Sequence, residues 1–460
     1  MSTTRPDLAV AGERMHRLIA ELYPIPRSIT GDGLRRTLQR VQAELPDLQI
    51  HEVPSGTRVF DWTVPDEWNI REAWIKGPDG HVVVDFRNSS LHVLGYSIPV
   101  RQTLPLAELR PHLHTLPDRP TWIPYRTSYY KPAWGFCLAH DRLADLPDGD
   151  YEVCIDSTLA PGSLTYGELS IPGRRDAEVL LSCHACHPAL ANDNLSGVAL
   201  VTELSRVLTG QGPREHSYRV LLLPGTIGAI TWLARNEQRL PHIHHGLVIA
   251  CVGDPGPFHY KRTRRGDADI DRAVATALRH RPEGLVLRNF DPYGYDERQY
   301  NSPGIGLSVG RLGRTPHGEY PEYHTSADDL TLVRPDALAG SLDAYLAVLD
   351  ALEANRRYIN LQPKCEPQLG RRGLYGALGG HTDPGALQRA MLWLLNLSDG
   401  HHDLLTIAER SGLPPNLLAL AARLLRDKKL LRISEDPDPK ADPFRPRGSS
   451  TPRERDLNAT

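Results

Sequence analysis

His187 and Asp193 stand six residues apart in Ser182-Cys-His-Ala-Cys-His-Pro-Ala-Leu-Ala-Asn-Asp-Asn-Leu-Ser-Gly197. An imidazole nitrogen and a carboxylate oxygen are donors that zinc favours, and a catalytic site keeps about three protein ligands and one open position. The apolar run Glu178–Ser182 before them predicts a buried strand, and Val198–Val207 after them predicts a helix. One ligand then sits at the carboxyl end of a strand and the other at the mouth of the next helix. A third should come from far along the chain, near another strand end. His324 is the candidate, in Gly318-Glu-Tyr-Pro-Glu-Tyr-His-Thr-Ser-Ala-Asp-Asp329. It follows a predicted strand, Ile305–Gly310, and shares a polar loop with Tyr320, Tyr323 and several acids.

The same segment spells C-x-x-C-H through Cys183, Cys186 and His187. Haem attachment needs export to an oxidising compartment, and the N-terminal residues carry no apolar stretch that would direct it. A structural zinc on the two cysteines needs a second close-spaced pair, which the sequence does not offer. Both cysteines are therefore expected to pack near the sheet edge.

The elements that position these residues follow from periodicity. Residues 10–48 read as two amphipathic helices, with Leu18, Ile19 and Leu22 on the first stripe and Leu34, Leu38, Val41 and Leu45 on the second. Residues 50–160 turn to short β-type runs: Arg58–Val64, Ala73–Lys76, His81–Phe86, Ser90–Leu94 and Tyr151–Ile155. From 176 to 352 strands and helices alternate. The predicted strands are Val179–Cys183, Tyr218–Leu223, Gly246–Val252 and Ile305–Gly310, apolar on both faces. The predicted helices are Val198–Leu208, Thr226–Asn236, Ala268–Arg279 and Pro335–Arg357. Three helical segments, Pro384–Leu395, Asp403–Ser411 and Pro415–Lys428, and a β run, Leu430–Ile433, then outline a winged helix-turn-helix. The expected domains are an α/β domain at 1–50 and 165–360, an inserted β-rich domain at 51–164 and a winged helix at 361–434. A Pro/Asp/Arg-rich tail, 435–460, is expected to be disordered.

The chain has 460 residues, 40 % of them hydrophobic, so several domains with a sizeable core are expected. A net charge of −3 gives no global pull towards nucleic acid or anionic membrane. No apolar run approaches a membrane span of about 18 residues. Six cysteines are sparse for this length, which fits a reduced, cytoplasmic protein. Lys261-Arg-Thr-Arg-Arg265 is the densest cationic run; it offers a grip for a substrate carboxylate or phosphate, or simply a solvated face. The Pro415–Lys428 helix gathers its cations at the C-terminal end, whereas base-reading helices use their N-terminal residues. A docking or dimerisation role is expected for it, with nucleic acid not expected as a partner.

The histidine–aspartate segment resembles the "H…DN.SG" signature of the co-catalytic zinc aminopeptidases. The chain as a whole resembles a bacterial family of aminopeptidase-like proteins with an inserted β domain and a C-terminal winged helix. The resemblance rests on Leu22-Tyr-Pro-Ile-Pro-Arg-Ser-Ile-Thr-Gly-Asp32, Pro54-Ser-Gly-Thr57, Phe60-Asp-Trp-Thr-Val-Pro65, Glu67-Trp-Asn-Ile70, Arg126-Thr-Ser-Tyr-Tyr130, Leu164-Thr-Tyr-Gly-Glu168, Asp296-Glu-Arg-Gln-Tyr300 and Tyr320-Pro-Glu-Tyr-His-Thr-Ser326.

The resemblance implies an α/β fold, a zinc-aminopeptidase-like sheet sandwiched by helices, with His187, Asp193 and His324 as zinc ligands. Two-zinc members carry a Glu-Glu pair after the next strand, a general base followed by a ligand; Gly225 and Thr226 stand there instead. A further aspartate ligand would fall at Cys251 or Asp254. One zinc is therefore expected rather than two. Asp296 or Glu297 is the candidate replacement base, with Glu319 and Glu322 behind them. Arg126, Tyr129, Tyr130 and Arg298 are candidate substrate contacts. The expected activity is zinc-dependent cleavage of an amide bond in a small peptide or metabolite. The alternative is a ligand sensor of the same fold without turnover. The expected partners are the small substrate and, through the winged helix, a second copy of the chain.

Overall fold

Every residue of the Glu178–His184 strand is buried, which a strand covered by helices on both faces achieves. It pairs in parallel with Ser217–Leu223 on one side and Ile243–Ile249 on the other. Val309–Gly313 continues the parallel set beyond Ile243–Ile249. Further strands widen it to eight: Ser163–Ile171 and Gln49–Pro54, each antiparallel to its neighbour, at one end, and Phe258–Lys261, antiparallel to Val309–Gly313, followed by Leu285–Arg288, parallel to Phe258–Lys261, at the other. From Glu178–His184 the chain goes first to the neighbour on one side and later to the neighbour on the other. In open α/β sheets, the carboxyl end of a strand at such a reversal forms the crevice where ligands bind.

This computed structural model describes residues 5–374 and 384–434. The tail expected to be disordered, 435–460, lies outside them. The chain forms two compact units, the first ending at Leu349 and the second starting at Asp350.

In the first unit the Leu8–Leu22 helix buries Met15, Leu18, Ile19 and Leu22, as its stripe predicts. Gly12 lets it approach closely, because a Cβ there would lie 2.2 Å from the Pro335 carbonyl oxygen. The Gly197–Gly210 helix after the histidine–aspartate segment is buried over most of its length. The inserted segment leaves the main sheet after Pro54 and returns at Ser163. Between them stands an antiparallel sheet in the order Val82–Asp85, Glu67–Lys76, Asp150–Ala160, Val100–Pro105. Glu67 fastens it to the body: its carboxylate accepts from Arg35 of the second helix (2.8 and 2.5 Å) and from the Ser163 N–H (2.8 Å).

Several boundaries differ from the periodicity. The Ser90–Leu94 run is not a strand: Ser90–His92 is a short helical turn, capped where the Leu91 N–H donates to Ser89 Oγ at 3.3 Å. The Ile305–Gly310 strand begins later, at Val309, because Ile305 and Gly306 donate back to the Ser302 carbonyl in a turn. The helix from Pro335 stops at Ala354, and Arg357–Asn360 is a strand.

That strand belongs to the second unit. It is central in a three-stranded sheet with Asp399–Asp403 and Leu431–Ile433. Helices Pro384–Leu397, Leu404–Ser411 and Pro415–Asp427 complete a winged helix-turn-helix, with Gly412 at φ +71° supplying the turn. Pro415–Asp427 buries Leu418, Ala421, Ala422 and Leu425 and leaves Arg423, Arg426, Lys428 and Lys429 exposed beside it. Among the described residues no helix is long and apolar enough to cross a membrane.

Candidate metal centre

Asp193 is completely buried, and each of its carboxylate oxygens meets a histidine. His184 Nε2 lies 2.8 Å from Oδ1, and His324 Nε2 lies 2.9 Å from Oδ2. The ring of His187 stands 4.9 Å from that of His184 and 5.2 Å from that of His324, centroid to centroid. Donor atoms of His184, His187 and Asp193 lie within 4.8 Å of one another. The structure thus brings His187, Asp193 and His324 together as expected and adds His184. The strand was expected to end at Cys183, but it runs one residue further. His184 is its last residue and points into the crevice.

The backbone around Asp193 is held by its own sequence. Asn194 Nδ2 donates to the Ile249 carbonyl (2.9 Å) and the His184 carbonyl (3.3 Å), tying two strand ends together, and its Oδ1 accepts from the Cys251 N–H (3.1 Å). Asn192 and Ser196 accept from Gly253 and Val252. Gly197 is needed because a Cβ would lie 2.5 Å from Asn194 Oδ1. Asp328, five strands further along the chain, accepts the N–H groups of Asn192 (2.5 Å) and Asp193 (3.0 Å). His324 itself adopts φ +57°, an uncommon state for a bulky residue and a frequent one at functional sites. Its carbonyl accepts from the Tyr125 N–H at 2.8 Å, so a segment of the inserted region secures it.

Burial alone would push the Asp193 carboxyl up, but the facing His187 and His184 and the histidine hydrogen bonds hold it well below the usual carboxylate range. Burial pushes His187 down to about 3, so it is a neutral imidazole able to donate a lone pair. Arg27, almost wholly buried, donates to the His187 carbonyl (2.9 Å) and the Leu22 carbonyl (2.5 Å) and positions that turn.

The candidate bases part company. Asp296 is 2 % exposed, and its Oδ1 has no hydrogen-bond partner among the described residues. Both its oxygens lie 3.6 Å from where a Cβ of Gly225 would stand. A carboxylate therefore occupies the neighbourhood of the missing glutamate, delivered from another loop. Burial pushes Asp296 up to about 7, with His184 opposing. Glu297 instead pairs with the buried Lys261. Glu319 forms a two-pronged pair with Arg288, at 2.5 and 2.7 Å. The Lys261–Arg265 run is accordingly not one grip: Lys261 is buried on Glu297, Arg265 pairs with Asp267, and Thr263 bonds Asp271.

Of the two residues offered beyond the next strand, Cys251 reaches the centre. Its Sγ lies 4.0 Å from Asp193 Oδ1 and 3.1 Å from the Tyr295 hydroxyl. Asp254 accepts from Gly256 and Thr315 in its own loop and from Asn192 Nδ2 at 3.2 Å, so it braces the segment that carries Asp193. Cys183 and Cys186 are buried free thiols, as expected.

Among the candidate substrate contacts, Tyr129 reaches the site through Tyr125: their hydroxyls are 3.1 Å apart, and the Tyr125 ring meets His187 and His324 edge-on at 5.2 and 5.0 Å. Tyr130 is 51 % exposed and packs on Trp62. Arg126 is exposed and acts on His114 and Cys137, whereas Arg298 is half-buried beside Asp296. Tyr125 and Tyr295, whose ring stacks on His184 at 5.2 Å, were not singled out from sequence. Tyr125 lies in the segment just before the Arg126–Tyr130 motif, which was the available signal.

A family described as a domain of unknown function (DUF4910) matches residues 16–355, and a winged helix-turn-helix family matches 356–433. A Clostridium acetobutylicum protein is 50 % identical over 422 residues, 92 % of this chain and 96 % of its own length; it is described as a putative polysaccharide biosynthesis protein with an aminopeptidase-like domain. A crystal structure of a putative peptidase from Clostridium acetobutylicum is 48 % identical with a TM-score of 0.88, covering 93 % of this chain and 98 % of that one. A zinc aminopeptidase from Bacillus subtilis superposes with a TM-score of 0.53 at 14 % identity, covering 74 % of this chain and 94 % of that one, a likeness of fold.

Proposed function

The chain belongs to the DUF4910 family, and we propose that it is a zinc-dependent hydrolase that cleaves an amide bond in a small peptide or metabolite. One observation carries this reading: the buried Asp193 carboxylate sits among His184, His187 and His324, with histidines as its ion-pairing partners among the described residues. A buried anion ringed by imidazoles matches both the donor preference and the charge of a zinc ion. His184, His187, Asp193 and His324 would hold a single ion, since Gly225 and Thr226 bring no carboxylate for a second. Zinc supplies Lewis-acid polarisation of the scissile carbonyl.

The chain's own residues would do the rest. Asp296 takes the proton of the attacking water, at the place that Gly225 leaves open. Its short helix and the buried Glu297–Lys261 pair beside it fix its position. Tyr125 and Tyr129 border the substrate from the inserted region, and Arg298 stands by the base. The name of the 50 % identical relative supports a biosynthetic amide as the substrate. The six free cysteines support a reducing, cytoplasmic setting.

The test is turnover of short peptides and aminoacyl anilides by the zinc-loaded chain. Asp296→Asn should lower kcat by about 10²–10⁴ with zinc retained. An unchanged kcat in that variant contradicts the assignment of the base. A chain that holds zinc yet turns over no amide favours the sensor reading, which the absent glutamate at Gly225 also supports.

A further inference from the structure

Arg311 is a buried cation without an anion. It is 2 % exposed, and no hydrogen bond or ion pair holds its guanidinium among the described residues. Nε and Nη1 are enclosed without a partner; Nη2 has none either and keeps contact with solvent. The Tyr295 ring centroid lies 5.3 Å from Cζ, so the guanidinium meets a π face there and not a carboxylate. A charge taken out of water is ordinarily paired, because nothing else compensates the lost hydration.

The sheet register places this charge near the metal centre. Arg311 pairs with Val248, and Val248 with Ser182, so the three side chains share one face of the sheet. His184 lies two residues beyond Ser182, on that same face. Tyr295 connects the two: its ring stacks on His184 at 5.2 Å and meets Arg311. Half-buried rings also run from His324 to Tyr323 at 3.9 Å and to His317 at 6.1 Å, and His317 meets Tyr295 at 5.2 Å. An aromatic rim thus leads from a metal-centre histidine towards Arg311.

None of the nearby carboxylates bonds Arg311. Lys261 stands opposite it in the register, and Glu297 pairs with Lys261. Glu319 holds Arg288 at 2.5 and 2.7 Å. Asp296 faces Gly225 and His184. One positive charge is left over, and a single negative charge balances it. A guanidinium offers a carboxylate a planar fork, and Nη2 shares an edge with each of the two unpartnered nitrogens.

We infer that Arg311 receives a carboxylate of the substrate. The hydrolase proposed above then acts on a small amide that also carries one carboxylate, such as an N-acyl amino acid or a dipeptide with a free C-terminus. The inference rests on that reading for the ligand's being a substrate; the anion site itself is read from Arg311 and its surroundings. Arg311 selects the ligand and takes no part in bond cleavage.

The experiment compares carboxylate and carboxamide twins on the full, zinc-loaded chain, by calorimetric titration and by turnover. The pairs are alanylalanine with alanylalaninamide, and N-acetylalanine with N-acetylalaninamide. At least one carboxylate should bind about tenfold or more tightly than its twin. Arg311→Met should abolish that preference while the carboxamide Kd stays unchanged. Because it removes an unbalanced buried charge, this variant should melt no lower than wild type. Arg311→Lys, which keeps the charge without the fork, should lose most of the preference. A preference for the carboxylate without any turnover would sink the hydrolase and leave the anion site standing. Equal kcat/KM for both twins would leave the hydrolase and overturn this inference. It is overturned as well if no carboxylate is preferred, or if the preference survives in Arg311→Met, which would put the anion on the metal instead.

Discussion

In the proposed hydrolase Asp193 and Asp296 divide the work of the carboxylates. Asp193 is fixed by histidines on both oxygens, whereas Asp296 has an oxygen without a hydrogen-bond partner among the described residues and faces the Cβ position that Gly225 lacks. If Asp296 stands in for a glutamate at 225, the two cannot coexist. A Gly225→Glu side chain would start 3.2 Å from His184 Cβ and 3.6 Å from both Asp296 oxygens. Like charges so close repel. Gly225→Glu should therefore cut kcat by about tenfold or more, not raise it. Combined with Asp296→Ala it should recover activity above that of Asp296→Ala alone. Steady-state kinetics of the three variants check this, and a single variant faster than wild type speaks against it. His187, Asp193 and His324 were legible because histidines and an acid at strand ends suit one chemistry. His184 was missed by one residue of strand length. That Asp296, and not Glu297, faces Gly225 was not legible: adjacent residues share a sequence neighbourhood but point to different ones in space.

The four central strands were readable because parallel strands under helices are apolar on both faces. The last two strands at one end of the sheet, Phe258–Lys261 and Leu285–Arg288, were not, being short and mixed in polarity. Nor was the order of the sheet, which places the reversal at Glu178–His184. The inserted region is fastened at Glu67, half-hidden beside Arg35 and Ser163. Its hydrogen bonds with Arg35, foremost among the causes, hold the Glu67 carboxyl down to about 2, against about 4.3 for an ordinary glutamate. A depressed pKa means that the folded state favours the charged form. The contribution is thus complete above about pH 4.3 and is lost as pH falls towards about 2. Glu67→Gln should cost about 1–2 kcal/mol at neutral pH, allowing for partial solvent screening, and should flatten the stability curve across that acid window. Urea melts at pH 7 and pH 3 read both effects. Equal losses at the two pH values would remove Glu67 as the fastening.

At the scale of the whole molecule, each of the two units has its own apolar core. Leu418 and Leu425 are completely buried in the winged unit among Leu394, Ile407 and Leu404. Leu425→Ala should destabilise that unit by about 2–5 kcal/mol and leave zinc content untouched. Thermal melts and metal analysis of the same sample test it; a parallel loss of zinc would deny the units their independence. Helix periodicity and the Gly412 turn made the winged unit legible. Its strands Arg357–Asn360 and Asp399–Asp403 were not, because their pairing is set by partners distant in sequence. The proposed hydrolase requires the metal. Zinc per chain should be measured by elemental analysis on wild type and on His184→Ala, His187→Ala, Asp193→Ala and His324→Ala, each checked for folding. The prediction is one zinc per wild-type chain, with Asp193→Ala losing it entirely and each histidine variant binding it at least about tenfold more weakly. Folded wild-type protein without zinc, or an Asp193→Ala variant that keeps it, contradicts the central claim.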